Sequence, residues 1–274
     1  EILKNNNQYI FSSNININEN PVLIEFLQYE KKEGINSILK LNGSYKKNGE
    51  INLKSVSFNE NNNNFLFQKL SLNKNFEILN IKLLELDYIN NNEIKNQIKL
   101  KKDKKNYLIF GKSFDLSKII TETLNNNDDN ESPSIFKNFN TIIDIKIEKA
   151  YLDNVLFVKN LVTKINYKND EIYKLDLDSS FSNNKKLTLT INTNDKNEKI
   201  TTFFSANPKP LVKEYKFIKG FEEGALDFYS IKKNGVSNSL LTIDNFKIKE
   251  VPVFAKLLSL ASLQGIADLL TGEG

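Results

Sequence analysis

The chain has 274 residues, with 38 basic and 34 acidic side chains and a net charge of +4. Every basic residue is Lys, and Cys, His, Trp, Arg and Met are absent. Without His or Cys, Ser-His-Asp and Cys-His catalysis are excluded, zinc could be held only by carboxylates, and without Arg there is no bidentate reader of guanine or phosphate.

The two signs of charge are interspersed, so nothing resembles a polyanion-binding face and nucleic acid is not an expected partner. Asn makes up roughly a sixth of the chain, well above ordinary usage, and with Lys and Ile it reads as a genome composition bias. With no Met, the chain is expected to be a piece of a longer protein, so a missing leader or anchor says nothing about the parent. The length allows one large all-β domain or two ordinary ones.

In chain order, alternation of apolar and polar residues predicts strands over Gln8–Ile17, Ile35–Tyr45, Ile51–Phe58 and Phe65–Leu72. In "LNIKLLELDY" the apolar positions Leu79, Ile81 and Leu83 lead into Leu84, Leu86 and Tyr88, a one-residue phase change that predicts a bulge or bend. Strands follow at Ile98–Lys102 and Tyr107–Gly111. "DLSKIITETL" then reads as a helix capped by Asp115, with Ile119, Ile120 and Leu124 on its buried side. The Asn-rich stretch Asn125–Ser134 reads as a loop or joint between a segment over 1–124 and one over 135–274.

The alternation is strongest after that joint. In "IIDIKIEKAYL", Ile143, Ile145 and Ile147 oppose Asp144, Lys146 and Glu148. Leu175 and Leu177 in "KLDLDSS", and Leu187, Leu189 and Ile191 in "KLTLTINT", repeat the pattern, so these eight residues are expected to share one apolar surface. Further strands are predicted at Val155–Val158, Val162–Tyr167, Lys199–Ser205, Ala225–Ile231 and Ser239–Ile248, and a helical turn at "NPKPLVKEYKF". The separators, such as "NGS", "KNGE", "ENNNN" and "SNN", are turn-like, and their short spacing predicts antiparallel hairpins rather than βαβ crossovers. The closing stretch Val251–Gly274 differs from the rest: apolar residues crowd at helical spacing, but Lys256, Gln264 and Asp268 keep it from being a membrane span.

The carboxylate pairs Glu222-Glu223 and Asp128-Asp129 read as solvated surface acids, and "GFEEGA" lacks the glycine spacing and Lys of a phosphate-binding loop. No catalytic residue, metal site or cofactor is expected, and the chain reads as a non-enzyme. Pattern alone leaves two architectures open: a closed sandwich or barrel with an ordinary core, or an open, curved sheet whose apolar face stays available.

Three motifs carry a resemblance. "GKSFDLSKII" (Gly111–Ile120), "SANPKPLVKEYKFIKGFEEGALDF" (Ser205–Phe228) and "LLTIDNFKIKEVPVFAKLLSLASLQGIADLLTGEG" (Leu240–Gly274) resemble segments of AsmA-like proteins of the YhdP branch. The last is the most specific, with Phe246, Pro252, Leu257, Leu258, Ser262, Gly265, Leu269, Gly272 and Gly274 falling in order. The likeness covers about Tyr107 to Gly274; Lys256 stands near a common family Arg, and Glu223 where a second Gly is usual. The resemblance implies a mainly β fold: an extended, curved antiparallel sheet forming an apolar groove, with a few short helices including a C-terminal helical cap over 251–270.

The role implied is bridge-like lipid transfer in support of outer-membrane biogenesis. Phospholipid acyl chains would be carried across the periplasm, in a protein anchored in the inner membrane, with membrane proteins as partners at the ends of the full-length chain. Ile143, Ile145, Ile147, Leu175, Leu177, Leu187, Leu189 and Ile191 would line the groove, and Phe254, Leu257, Leu258 and Leu269 would pack in the cap. A two-chain phospholipid exposes about thirty methylenes at ~0.8 kcal/mol each, so on the order of 25 kcal/mol opposes its hydration. A continuous sheet face could offset that, whereas scattered leucines could not. With no Arg or His cluster, no head-group choice is expected. The other reading of the residues is a cell-envelope scaffold with a closed β core and no groove.

Overall fold

The computed structural model describes residues 2–5, 8–47, 49–125, 140–168, 171–209 and 221–248. The chain enters through β1 (Ile2–Asn5) and β2 (Gln8–Asn16). It then makes a small excursion, the hairpin β3 (Val22–Ile24) and β4 (Tyr29–Lys31) around a 3-10 turn at Glu25–Leu27, and returns as β5 (Ser37–Lys46). β6 (Ile51–Glu60), β7 (Asn63–Leu72), β8 (Ile78–Asn80), β9 (Leu83–Ile89), β10 (Lys95–Asp103) and β11 (Asn106–Asp115) lead to the helix α1 (Ser117–Asn125). Beyond it run β12 (Thr141–Tyr151), β13 (Phe157–Lys168), β14 (Glu171–Phe181), β15 (Lys186–Thr193), β16 (Lys199–Ser205), β17 (Phe221–Lys233) and β18 (Val236–Ile248).

All but the β3–β4 hairpin join one 16-stranded sheet whose order follows the sequence, with β8 set beside β7. β1 and β18 are its two ends and do not pair with each other, so the sheet is open and extended rather than a closed barrel. At about 4.8 Å between strands, the path from one end to the other is roughly 65 Å. Contacts between elements run mainly between neighbouring strands, as expected of a single layer.

The sheet departs from uniform antiparallel pairing at one place. β12 lies parallel to β11, Tyr107 opposite Ile143 and Gly111 opposite Ile147. The chain leaves the end of β11 through α1 and re-enters at the start of β12, which is the long crossover a parallel pair needs. Short separators give most of the other pairs as the hairpins the sequence predicts, and the longer connections from β2 to β5 and from β16 to β17 also return antiparallel; here the connection brings the strand back in the same direction. The pairing also puts the strands before and after the Asn-rich stretch into one sheet.

α1 is the one α-helix among the described residues. Its start is fixed as expected: the Ser117 backbone N–H donates to Asp115 Oδ1 at 2.9 Å, and Ile119 packs onto the sheet. Of the helical turn expected at 207–217 only 207–209 are described, and the helix expected over 251–270, with Phe254, Leu257, Leu258 and Leu269, lies outside the described residues, as does 126–134.

The core forms on one face. Phe58, Phe65, Leu86 and Tyr88 pack around Tyr29 of the hairpin, whose ring lies 4.7 Å from that of Phe65 and 5.8 Å from that of Tyr88. Phe114, Ile147, Ala150, Val158, Leu161, Phe181 and Leu187 pack beneath α1. Leu27 of the 3-10 turn touches both groups, so hairpin and helix form one roof over one side of the sheet. Leu70, Ile81, Tyr107 and Ile143 form a third cluster toward the other ends of the strands. Ile81 and Leu84 both turn to this cluster although three residues apart, as do Leu70 and Phe67 opposite them. With Ser71 on Asn80 and Gln68 on Leu83 the two strands break their pleat together, at left-handed Lys69 (φ 50°) on β7 and at Lys82 between β8 and β9. That break is the phase change read in "LNIKLLELDY".

Candidate functional site

Strand registers fix which side chains share a face, because directly paired residues point the same way. Starting from Ser13 on β2, successive partners are Leu41, Val56, Phe67, Leu84, Leu100 and Ile109. The row continues through Ile145, Thr163, Leu177, Leu189, Phe203, Phe228 and Leu241. One rung per strand thus runs from β2 to β18, apolar except at Ser13 and Thr163. From Leu41 to Phe228 its apolar members are all half-buried, and Leu241 at the sheet's end is 51% exposed. This row is neither sealed as a core nor spread over an ordinary surface.

Two flanking rows widen the apolar strip. On the roofed side lie Leu39, Phe58, Phe65, Leu86, Ile98, Gly111, Ile147 and Leu161. On the other side Tyr107, Ile143, Ile165, Leu175 and Ile191 pair in turn, giving way to Thr201, Ser230 and Ser239. The eight residues singled out from the sequence all fall on this face. Ile145, Leu177, Leu189 and Ile191 are half-buried, whereas Ile147 and Leu187 are buried beneath α1, Ile143 is buried in the third cluster and Leu175 is buried beside Ile165 and Ile191.

The opposite face is different. The row next to the apolar one reads Lys40, Ser57, Leu66, Glu85, Lys99, Phe110, Lys146, Val162, Asp178 and Thr188. Ion pairs join Lys99 to Glu85 and Lys95 to Asp87. Burial alone would raise the Asp87 carboxyl, but the Lys95 and Gln97 side chains bonded to it hold it below the usual range. Two shallow hollows open on this side, where Leu66, Phe110 and Val162 also lie. One, of about 880 Å³, has Glu85, Lys99 and Lys146 on its wall, and the other, of about 900 Å³, has Ser12, Asn42, Ser55 and Asn52. Hydroxyl–amide bonds between paired strands, such as Ser12 to Asn42 at 2.6 Å and Ser71 to Asn52 at 2.8 Å, occupy its polar groups.

The roof is pinned by a buried polar network. Asp115 is 4% exposed, yet its carboxylate accepts from Asn90 at 2.7 Å, Asn92 at 3.0 Å and the Ser117 N–H at 2.9 Å. Burial acts to raise its pKa, and these donors more than offset it, so the group is held below its ordinary value. Asn92 also donates to Gln28, and Gln28 to Ser117, tying the hairpin to the helix. In the hairpin, Tyr29 donates to Glu60 at 2.8 Å, and burial, then that bond and the nearby carboxylate charge, push the phenol up. Lys31 is buried with its ammonium on the carbonyls of Asn18, Asn20 and Lys32.

Neither a family model, nor a curated protein, nor a solved structure matches the chain. Among the described residues, no cluster of His, Cys, Asp or Glu is arranged to hold a metal ion, and no helix is long and apolar enough to cross a membrane.

Alternation within each strand pointed to the second half of the apolar face. It left out the first half, Leu41 through Ile109, and the far end at Phe203, Phe228 and Leu241. Those residues alternate equally well, but only the registers place them in the same row.

Proposed function

We propose that this chain is a section of a non-enzymatic conduit for phospholipid, related to the AsmA-like proteins it resembles. In this reading acyl chains lie along the half-buried apolar row while head groups remain in water. The parent protein is anchored in the inner membrane, crosses the periplasm and supplies phospholipid to the outer membrane, with membrane proteins at its ends as partners. The observation that supports this is the unbroken row of paired positions from β2 to β18 on an open sheet. Among the described residues the second sheet is the small β3–β4 hairpin at the roofed side, and the large sheet is not closed into a barrel, which favours the conduit over a scaffold with a closed core. A face of this length can desolvate several acyl chains at once, which is what on the order of 25 kcal/mol of hydration cost per lipid requires.

The test is acyl-chain loading. Phospholipid is expected to co-purify with the chain, detected by mass spectrometry, and an acyl-labelled phospholipid should co-migrate with it on a native gel. Leu189→Asp places a carboxylate in the half-buried row and should reduce loading several-fold while the urea transition persists. A folded chain that takes up no acyl-chain probe overturns the reading.

A further inference from the structure

The two ends of the strands differ in charge. At the end away from the roof the turns read KKNGE (46–50), NKNFE (73–77), KKDKKN (101–106), KNDE (168–171), NDKNEK (194–199) and KKNG (232–235), so Asp170, Glu171, Asp195 and Glu198 balance the lysines of its second half. At the roofed end the hairpin turns read ENNNN (60–64), NNNE (90–93) and SNNKK (182–186), and the lysines there are Lys185 and Lys186 with Lys31, Lys32 and Lys118 of the roof, Lys31 being buried on backbone carbonyls. The excess is not uniform along the unroofed rim. Toward its far end Lys199 pairs with Glu171 and Lys233 with Glu198, each at 2.8 Å, and Lys46 pairs with Glu50 at 2.9 Å. The surplus is concentrated on the neighbouring turns that carry Lys74, Lys82, Lys102, Lys104 and Lys105, against Asp103 and Glu77.

Tyrosines stand on the apolar face at this same rim. Tyr9 faces Tyr45 across β2 and β5, Tyr107 pairs with Lys102, and Tyr167 pairs with Thr141. Lysine ammoniums lie over tyrosine rings nearby, Lys102 over Tyr107 at 5.5 Å and Lys168 over Tyr173 at 4.2 Å. Tyr107 and Tyr167 are buried and floor the rim, whereas Tyr9, Tyr45 and the lysine stems lay carbon on the apolar surface with polar ends toward water, as side chains do where hydrocarbon meets water. Across the sheet the hairpin and α1 cover the other side of the strip over the two large clusters, so a polar head there would meet packed residues rather than water.

Resting on the conduit reading above, we propose that the lysine–tyrosine rim is a head-group edge: lipids lie with their tails toward the roof and their heads at this rim, and those with a net negative head group are preferred. This departs from the expectation of no head-group choice, which rested on the absence of Arg and His; the sheet assembles from Lys and Tyr on separate turns what no local motif displays. A lysine beside an anionic lipid surface is worth about a fivefold change in partition, so a few unmatched lysines give a preference of more than tenfold.

The experiment compares loading of the full chain with phosphatidylglycerol and phosphatidylcholine carrying identical labelled acyl chains, at low and high salt. A preference for phosphatidylglycerol that weakens with salt is expected. It should be abolished by Lys104→Glu, Lys105→Glu and Lys168→Glu combined, and be kept by Lys185→Glu with Lys186→Glu at the opposite rim. Equal loading of the two lipids, or a preference that the rim variant leaves intact, overturns the head-group edge while leaving acyl-chain binding in place. Failure to load either lipid overturns the conduit reading itself, and this proposal with it.

Discussion

Replacing Asp115 tests whether the roof is held by its polar network. The carboxylate is buried and takes three hydrogen bonds, while its own backbone N–H donates to Asn96 Oδ1 at 2.8 Å. Asp115→Ala removes the helix cap, at about 1 kcal/mol. It also strands the buried Asn90 amide, at about 1–3 kcal/mol, while half-buried Asn92 can turn to water. The expected loss is ~2–4 kcal/mol. Asp115→Asn keeps an acceptor and loses the charge, so roughly half of that is expected. The pH dependence has a definite sign. The folded pKa lies below the unfolded value of about 3.9, so the charged group's contribution is complete above that value and is lost as the pH falls through the folded pKa. The gap between wild type and Asp115→Asn in urea melts should be constant from about pH 5 to 7 and shrink at about pH 3. An Asp115→Ala chain within about 0.5 kcal/mol of wild type at neutral pH would refute the reasoning, as would a gap that persists in acid.

Gly111→Ala should destabilise the chain by about 1–3 kcal/mol in urea melts, because a Cβ there would sit 2.2 Å from the Gln97 carbonyl oxygen at the bulge between β10 and β11. Tyr29→Phe removes one hydrogen bond from Glu60, which keeps Asn61 and Asn63 as donors, and should cost about 1 kcal/mol. Tyr29→Ala empties the centre of the aromatic cluster and should cost about 3–5 kcal/mol, read as a shift of the urea midpoint.

Strand identity was legible in this sequence because half-buried strands write their burial into alternation, as at Ile143, Ile145 and Ile147. Turns were legible because Asn and Gly mark them. The β3–β4 hairpin was not read as strand: each of its strands is three residues long, too short to show a period, and its importance lies in the single side chain of Tyr29. The parallel joint was not legible either, since direction depends on where a long connection returns rather than on residues within the strand. For the candidate site, Ile145, Leu177 and Leu189 of the apolar row were within reach of local pattern, but its continuity is a property of thirteen registers. The lysine rim lay beyond reach for the same reason, being spread over turns far apart in the chain.

Misreading Val155–Val158 and Val162–Tyr167 as two strands has a physical cause that also explains the shape beneath α1. They are one strand, β13, and Asn160 within it is left-handed, with φ of 52°. Val158 and Leu161, three residues apart, both bury in one cluster, which regular alternation forbids. The same spacing recurs on the two neighbouring strands, where Ile147 and Ala150 on β12, and Phe114 three residues past Gly111 on β11, meet that cluster. Three adjacent strands therefore break the pleat along one line. The extra residue is absorbed on β13 between Lys159 and Val162, and on the β10–β11 pair between Gln97 and Ile98. A one-residue slip alone would turn every later side chain to the wrong face. Paired with a left-handed residue or a glycine, it becomes a crease across which the apolar row keeps its side, Ile145 still opposite Thr163 and Thr163 opposite Leu177. The crease lies where α1 and Leu27 cover the sheet, so the irregular line carries the roof and the regular alternation beside it leaves the row open.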